Sequence, residues 1–399
     1  MKVLIYTLLL ACCVWTCVEP FQPEVGEYDS TLVVDGLFSN SDEPSIVLLS
    51  RSFAYADSEG PPIEGAKLTI EDDQGNSTSL TETRPGVYET NPAIFKGQIG
   101  RSYRLLIQTP EGEDFESDWE TLKAAPPIEN VRFQFEERIP DDPHRNPIPG
   151  LQFYVSTKDP ENNTKFHRWE FVETYEYGLS YPPIIGVEFS DRPGTGNDEI
   201  FFVPLEDYEG FRCWKTEEST RILIASTENL TEDVIEDFPI HFVSNATPRL
   251  YRRYSLLVKQ YAVSKESYEY LRIIKETNQT TGSLFDAIPN ELFGNVRNSN
   301  GKDIPVLGYF SVAGVSTTRT FVDRTDLPID VLFPFGPTCA VDTIPLSFGS
   351  LYNKVRYNNR VLFNYHYNDL GTPINYLLTK PDCARCSALE ATNVQPDFW

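Results

Sequence analysis

The chain has 399 residues, with 34 Lys and Arg against 59 Asp and Glu, a formal charge of -25 and a pI near 4.6. So acidic a surface repels nucleic-acid phosphates and anionic headgroups, which excludes nucleic-acid binding and passive adsorption to acidic lipid. Hydrophobic residues at 40% and aromatics at 13% are enough for packed cores, and the length is that of two or three ordinary domains.

Only Lys2 precedes an apolar run from Val3 to Trp15. The run is too short to remain as a bilayer-spanning helix, and no second apolar stretch of about 18 residues follows. Residues 1–16 therefore read as a secretory signal peptide. A cysteine closing such a run resembles a bacterial lipobox, in which the thiol takes a diacylglyceryl group and becomes the first mature residue. Two candidates compete. Leu9-Leu10-Ala11-Cys12 fits the usual lipobox spacing better, whereas Cys17 leaves a longer apolar core and is followed by polar chain. Cleavage before Cys12 would leave Cys13, Val14 and Trp15 exposed, so Cys17 is preferred as the lipidated residue and Cys12 is the alternative. Residues 17–27 then form a lipidated tether, and the mature chain carries 33 basic against 59 acidic residues, a charge of -26.

Four cysteines lie in the body: Cys213, Cys339, Cys383 and Cys386. An even number in an exported chain implies two disulfides, in one of three connectivities. Cys383-Ala384-Arg385-Cys386 has neither a second CxxC nor a nearby histidine to complete a zinc site. It lies in a polar tail, not at the start of a helix as a redox motif would.

From Tyr28 to Leu122 short alternating strands are separated by turns: Leu32-Val33-Val34, Ile46 to Leu49, Ala66 to Ile70, Gly86-Val87-Tyr88 and Tyr103 to Ile107. The spacing, with no helix between strands, predicts an Ig-like or transthyretin-like β-sandwich over residues 28–123. Ala124-Ala125-Pro126-Pro127 reads as an extended linker. A larger β-rich second domain is expected over 128–399, with one or two short helices. Its strands lie at Val131 to Phe135, Leu151 to Val155, Phe166 to Val172, Ile222 to Ala225 and Tyr254 to Val258. One helix is predicted from about Ser264, which caps it, to Thr277, with Tyr268, Leu271 and Ile274 on one face. Beyond Asp326 the chain is a tail rich in Pro, Asn and Tyr carrying the last three cysteines.

Catalytic motifs are missing from the sequence. The four histidines, His144, His167, His241 and His366, include no pair at helical ligand spacing, and no Gly-x-Ser-x-Gly, P-loop or dinucleotide fingerprint occurs. Arg192 to Asp198 reads as a loop, and His167, beside Trp169, as a surface or packing residue. Glu71 to Asn76 and Asp159 to Asn163 cluster oxygens of the kind calcium takes, but both suit turns and neither has the EF-hand spacing. Asp29-Ser30-Thr31 and Asp342-Thr343-Ile344 fit a short O-glycosylation pattern. Tyr175, Tyr177 and Tyr181 either pack in the core or stack on a sugar or peptide. No catalytic or metal-binding residue and no cofactor is nominated.

Taken in order, several segments resemble one family of Bacteroidota outer-membrane lipoproteins, that of the domain of unknown function 4249. They are Cys17 to Phe21, Leu32 to Leu37, Arg168-Trp169-Glu170, Cys213 to Thr216, Pro289 to Val296, Val306 to Phe310, Asp382 to Cys386 and Pro396 to Trp399. The resemblance spans nearly the whole mature chain and favours Cys17 as the anchor. It implies a lipid-anchored outer-membrane protein facing the cell surface, a non-enzymatic subunit partnered with a TonB-dependent β-barrel transporter in nutrient capture. A stand-alone adhesin or carbohydrate-binding lipoprotein is the alternative reading.

Overall fold

Alternation of inward and outward side chains builds the first nine strands of the computed structural model, which describes residues 31–52, 60–140, 142, 144–189, 200–205, 212–280, 294–302 and 304–399. They are β1 (Leu32–Ser39), β2 (Ile46–Arg51), β3 (Lys67–Asp72), β4 (Ser77–Ser79), β5 (Thr81–Arg84), β6 (Val87–Glu89), β7 (Ser102–Gln108), β8 (Asp114–Ser117) and β9 (Glu120–Thr121). Leu32, Val34 and Phe38 of β1 face Leu68 and Ile70 of β3 and Tyr103, Leu105 and Ile107 of β7 across one buried core. This is the expected first sandwich. Cys12 and Cys17, the tether and the loop 192–198 lie outside the described residues.

The remaining strands are β10 (Ile128–Arg138), β11 (Ile148–Asp159), β12 (Phe166–Gly178), β13 (Ile185–Phe189), β14 (Ile200–Pro204), β15 (Arg212–Glu218), β16 (Leu223–Ser226), β17 (Asp233–Ser244), β18 (Arg253–Ala262), β19 (Val296–Asn298), β20 (Val306–Asp323), β21 (Asp342–Pro345), β22 (Val361–Tyr367) and β23 (Pro373–Thr379). A three-stranded sheet, β10-β11-β17, covers one face of β12 and β18. Phe153 of β11 stacks on Tyr254 of β18, and Phe238 of β17 on Trp169 of β12, inside a second core. The protein is thus mainly β, as expected. Helix α1 (Lys265–Thr280) begins where predicted: the Ser267 amide donates to Ser264 Oγ at 3.1 Å, the N-cap bond. It runs three residues past the expected end.

One sheet serves both sandwiches. Its order, β15-β12-β18-β20-β1-β2-β6-β5, passes from the second sandwich into the first through β20. Residues Val306–Ala313 of β20 pair in parallel with β1, and Gly314–Asp323 pair antiparallel with β18. Strand β19 likewise joins β8 of the first sandwich. Residues after 294 therefore complete a sandwich that starts at residue 32, and the division expected at 123 to 128 does not separate the sheets. The reason is backbone satisfaction: β1 would otherwise be an open edge, and an unpaired ladder is costly and adhesive.

The linker is docked, not loose. Gly314 N–H donates to the Lys123 carbonyl at 3.0 Å. Prolines have no N–H to offer, but their carbonyls still need donors. Pro126 O accepts from Gln260 Nε2 at 2.8 Å and Ser316 Oγ at 2.7 Å, while Gln260 Oε1 accepts from Trp169 Nε1 at 2.8 Å. Where the sandwiches meet, backbones approach so closely that only glycine fits. Gly308 has a φ of +99°, and a Cβ there would lie 1.8 Å from the Val34 carbonyl oxygen.

The tail beyond Asp326 is more ordered than its composition implies. It forms the sheet β21-β23-β22 and helix α2 (Phe348–Tyr352), packed through Ile344, Leu351, Leu362 and Leu378. Two disulfides hold it, Cys213–Cys386 and Cys339–Cys383. The first ties the tail to β15, and Trp214 and Thr392 exchange backbone hydrogen bonds beside it. Phe398 stacks on the Arg319 guanidinium at 3.6 Å, and Trp399 meets Phe321 edge-on. No helix among the described residues is long and apolar enough to cross a membrane.

Two outcomes check this architecture. Gly308→Ala should lower unfolding stability by about 3 kcal/mol or more in urea titration, because both strain and a backbone clash arise. Gly301→Ala, at φ +69° with nothing within 4 Å of a Cβ, should cost only about 1 kcal/mol. Non-reducing peptide mapping should recover the Cys213–Cys386 and Cys339–Cys383 pairs, and a Cys213→Ala/Cys386→Ala variant should lose about 2–5 kcal/mol.

Candidate functional site

At the joint between the sandwiches, a cleft of about 800 Å³ opens between the β8–β9 corner, the start of α1, Gly294-Asn295 and Tyr309 of β20. Each wall has a local cause. The Asn295 side chain clasps β20 by donating to the Phe310 carbonyl at 2.8 Å and accepting from the Phe310 amide at 2.9 Å. The Asp118 amide donates to the Asn295 carbonyl, so the corner carrying Trp119 is fixed to the same point. Ser264 caps α1 so that its first turns point Glu266, Glu269 and Tyr270 at the cleft.

The lining combines aromatic faces with carboxylates. Trp119 is 45% exposed, and Arg104 braces its ring from 4.8 Å. Tyr270 and Tyr309 lie 5.2 Å apart, centroid to centroid. Glu120 is only 6% exposed and accepts from the Tyr309 hydroxyl. Burial raises its carboxyl above the ordinary value, with Glu266 and Asp118 adding repulsion, while the Tyr309 and Ser264 hydroxyls partly offset this. Burial also pushes the Tyr270 phenol up to about 12. Asp118, Glu120, Glu266 and Glu269 outnumber Lys123 and Lys265 on the lining. Such a surface can stack a flat ring face and accept hydrogen bonds from hydroxyl or amine donors.

None of the candidate ligand or metal residues singled out in the sequence lies here, although the Ser264 cap and two segments that carry the resemblance, through Gly294, Asn295 and Tyr309, line the cleft. Tyr175 and Tyr177 are buried in the second core, and Tyr181 packs on Phe363. They take the packing role, and no ligand platform forms from them. In the turn Glu71 to Asn76, Asp72 accepts from the Gln74 and Asn76 amides and pairs with Arg101 at 2.6 Å. Asp159 accepts from the amides of Glu161, Asn163 and Thr164. In both segments the aspartate oxygens serve the turn, and among the described residues no group of three or more His, Cys, Asp or Glu is arranged to hold a metal. Asp342 is held by Lys354 and Arg360, with Thr343 exposed beside it; Asp29 and Ser30 lie outside the described residues.

His167 has a packing role, fully buried and not at the surface. Its Nε2 donates to Asp233 Oδ1 at 2.9 Å, and Asp233 also accepts from Thr227 and Thr164 hydroxyls. Burial alone would raise the Asp233 carboxyl, but the bonds from His167, Thr227 and Thr164 outweigh it and hold the group below the usual value. A depressed carboxyl stabilises fully above the unfolded pKa of about 3.9 and loses that contribution as pH falls through the folded value. Unfolding stability measured from pH 5 downward should therefore fall, and Asp233→Asn should flatten this limb while costing about 3 kcal/mol at neutral pH.

Trp119, Glu120, Tyr270 and Tyr309 were not legible as a site, because they come from three separate segments that only the fold brings together. An exposed tryptophan between two acids, Asp118-Trp119-Glu120, is the one local signal that sequence reading had to offer.

Fold and cleft together define a mainly β protein built as two sandwiches on a shared sheet, with an open cleft at their joint. The chain belongs to the family described as Domain of unknown function (DUF4249), whose model matches residues 18–319. The match ends inside β20, so the segments Asp382 to Cys386 and Pro396 to Trp399 lie beyond it. No curated protein matches the chain.

Proposed function

We propose that this protein is a lipid-anchored, non-catalytic binding subunit of the outer membrane, facing the cell surface and working with a TonB-dependent β-barrel transporter in nutrient capture. The observation that carries the reading is the cleft at the joint, where Trp119, Tyr270 and Tyr309 stand among carboxylates on a braced β frame. An anchor at Cys17 fits this use. Fourteen residues separate Cys17 from Leu32, so the reach from membrane to body is at most about 50 Å. The acidic body would be repelled by anionic lipid while acyl chains keep it close.

Solubilised outer membranes should yield the protein in complex with a large β-barrel, and recovery only as a monomer would count against the partnership. Cys17→Ala should release the protein from membranes while Cys12→Ala should not; the reverse would move the anchor.

The exposed Trp119 ring favours a second reading, a surface carbohydrate-binding protein working alone, since indole faces stack on sugars. Glycan-array binding that Trp119→Ala abolishes, with no barrel recovered, would select it.

A further inference from the structure

At the other end of β20 a second cavity of about 830 Å³ has the opposite character. Its lining holds Arg212, Arg252, Arg253 and Arg324 against only Glu176 and Asp323. In a chain of charge -25 this is a local surplus of positive charge, built where four strand ends meet. Arg253 opens β18 and pairs in register with Asp323, the last residue of β20; Arg212 opens β15 opposite Gly178, the last residue of β12.

The arginines are not equally committed. Arg324 donates to the carbonyls of Leu327, Pro328 and Val331, and so braces the following turn. Arg212 grips the buried Glu176 with two hydrogen bonds at 2.7 and 2.8 Å, and Arg252 reaches the same carboxylate through Nη1 alone, at 3.2 Å. Arg253 is different. Its guanidinium lies over Phe321 at 4.5 Å and over Trp399 at 5.8 Å, and its nearest carboxylate, Asp323, stands 3.6 Å from Nε, beyond a normal hydrogen bond. Two aromatic rings thus orient a permanently charged group whose planar fork of donors makes no hydrogen bond among the described residues. The tail supplies part of this frame, because the Cys213–Cys386 disulfide and the Trp214–Thr392 bridge bring Gln395 and Trp399 to the cavity.

We propose that this cavity is a binding site for a small oxyanion, a carboxylate- or phosphate-bearing ligand, recognised by Arg253 with the free donors of Arg252. Guanidinium forks match both groups in bidentate geometry, and the aromatic rings fix Arg253 before the ligand arrives. The site is independent of the acid-rimmed cleft, since Tyr309 and Asp323 are fourteen residues apart on one strand, about 45 Å of extended chain.

The test is calorimetric titration of the purified full chain at low salt with citrate and, separately, inorganic phosphate. Saturable binding of at least one probe is expected, weakening with added salt. The probe that binds identifies the ligand group. Arg253→Gln and Arg252→Gln should each weaken it at least tenfold, Arg253→Lys should be intermediate, and Arg132→Gln, a strand arginine paired with Asp237 elsewhere, should bind as wild type. Thermal melts establish that the variants fold; should Arg253→Gln fail to, Arg252→Gln decides. Saturation by neither probe, or equal affinity in the folded arginine variants, would overturn the proposal.

Discussion

The parallel pairing of β1 with the first half of β20 is the constraint on which the rest depends. A strand that enters the fold at Leu32 is completed by one that begins at Val306, and only then does the first sandwich have a closed core. Parallel ladders need long connections, and here the connection is the rest of the first sandwich and most of the second. The close approach at Gly308, Gly294 and Val34 is what that arrangement demands sterically. The docked linker follows from it as well, because Lys123 and Pro126 find their donors on β20 and β18.

This shared strand also explains how much could be read beforehand. Alternation in Leu32 to Phe38, Leu68 to Ile70 and Tyr103 to Ile107 is a local property, so the strands and their inward faces were visible. So was the capped start of α1 at Ser264. Pairing between residues 32 and 306 leaves no local trace, and the linear division at the proline pair followed from that blindness. The tail was legible as part of a β-rich domain but not strand by strand: its many Pro, Asn and Tyr residues obscure any alternation, although Val361-Leu362-Phe363 supplies a strand core held by disulfides. The number of bridges was implied by counting cysteines; which sulfurs meet is set by where β15 lies.

Charge gains meaning once it has a location. The net acidity is not spread evenly: carboxylates dominate the cleft at the joint, while arginines collect at the far end of β20. Several buried acids, Glu173 and Glu176 among them, are matched by arginine, tyrosine or histidine partners inside the second sandwich. The frame tolerates such groups because each finds a partner.

The nested bridges have a topological consequence. Cys339–Cys383 lies wholly within the loop closed by Cys213–Cys386, and that outer loop contains α1, strands β16 to β20 and the three-stranded C-terminal sheet. A single protease cut anywhere between residues 213 and 386 therefore releases no fragment: both pieces stay covalently joined, and β20 keeps its neighbours. In oxidising surroundings the molecule can be nicked there and remain covalently one molecule, whereas after reduction only strand pairing and core contacts would hold the pieces together.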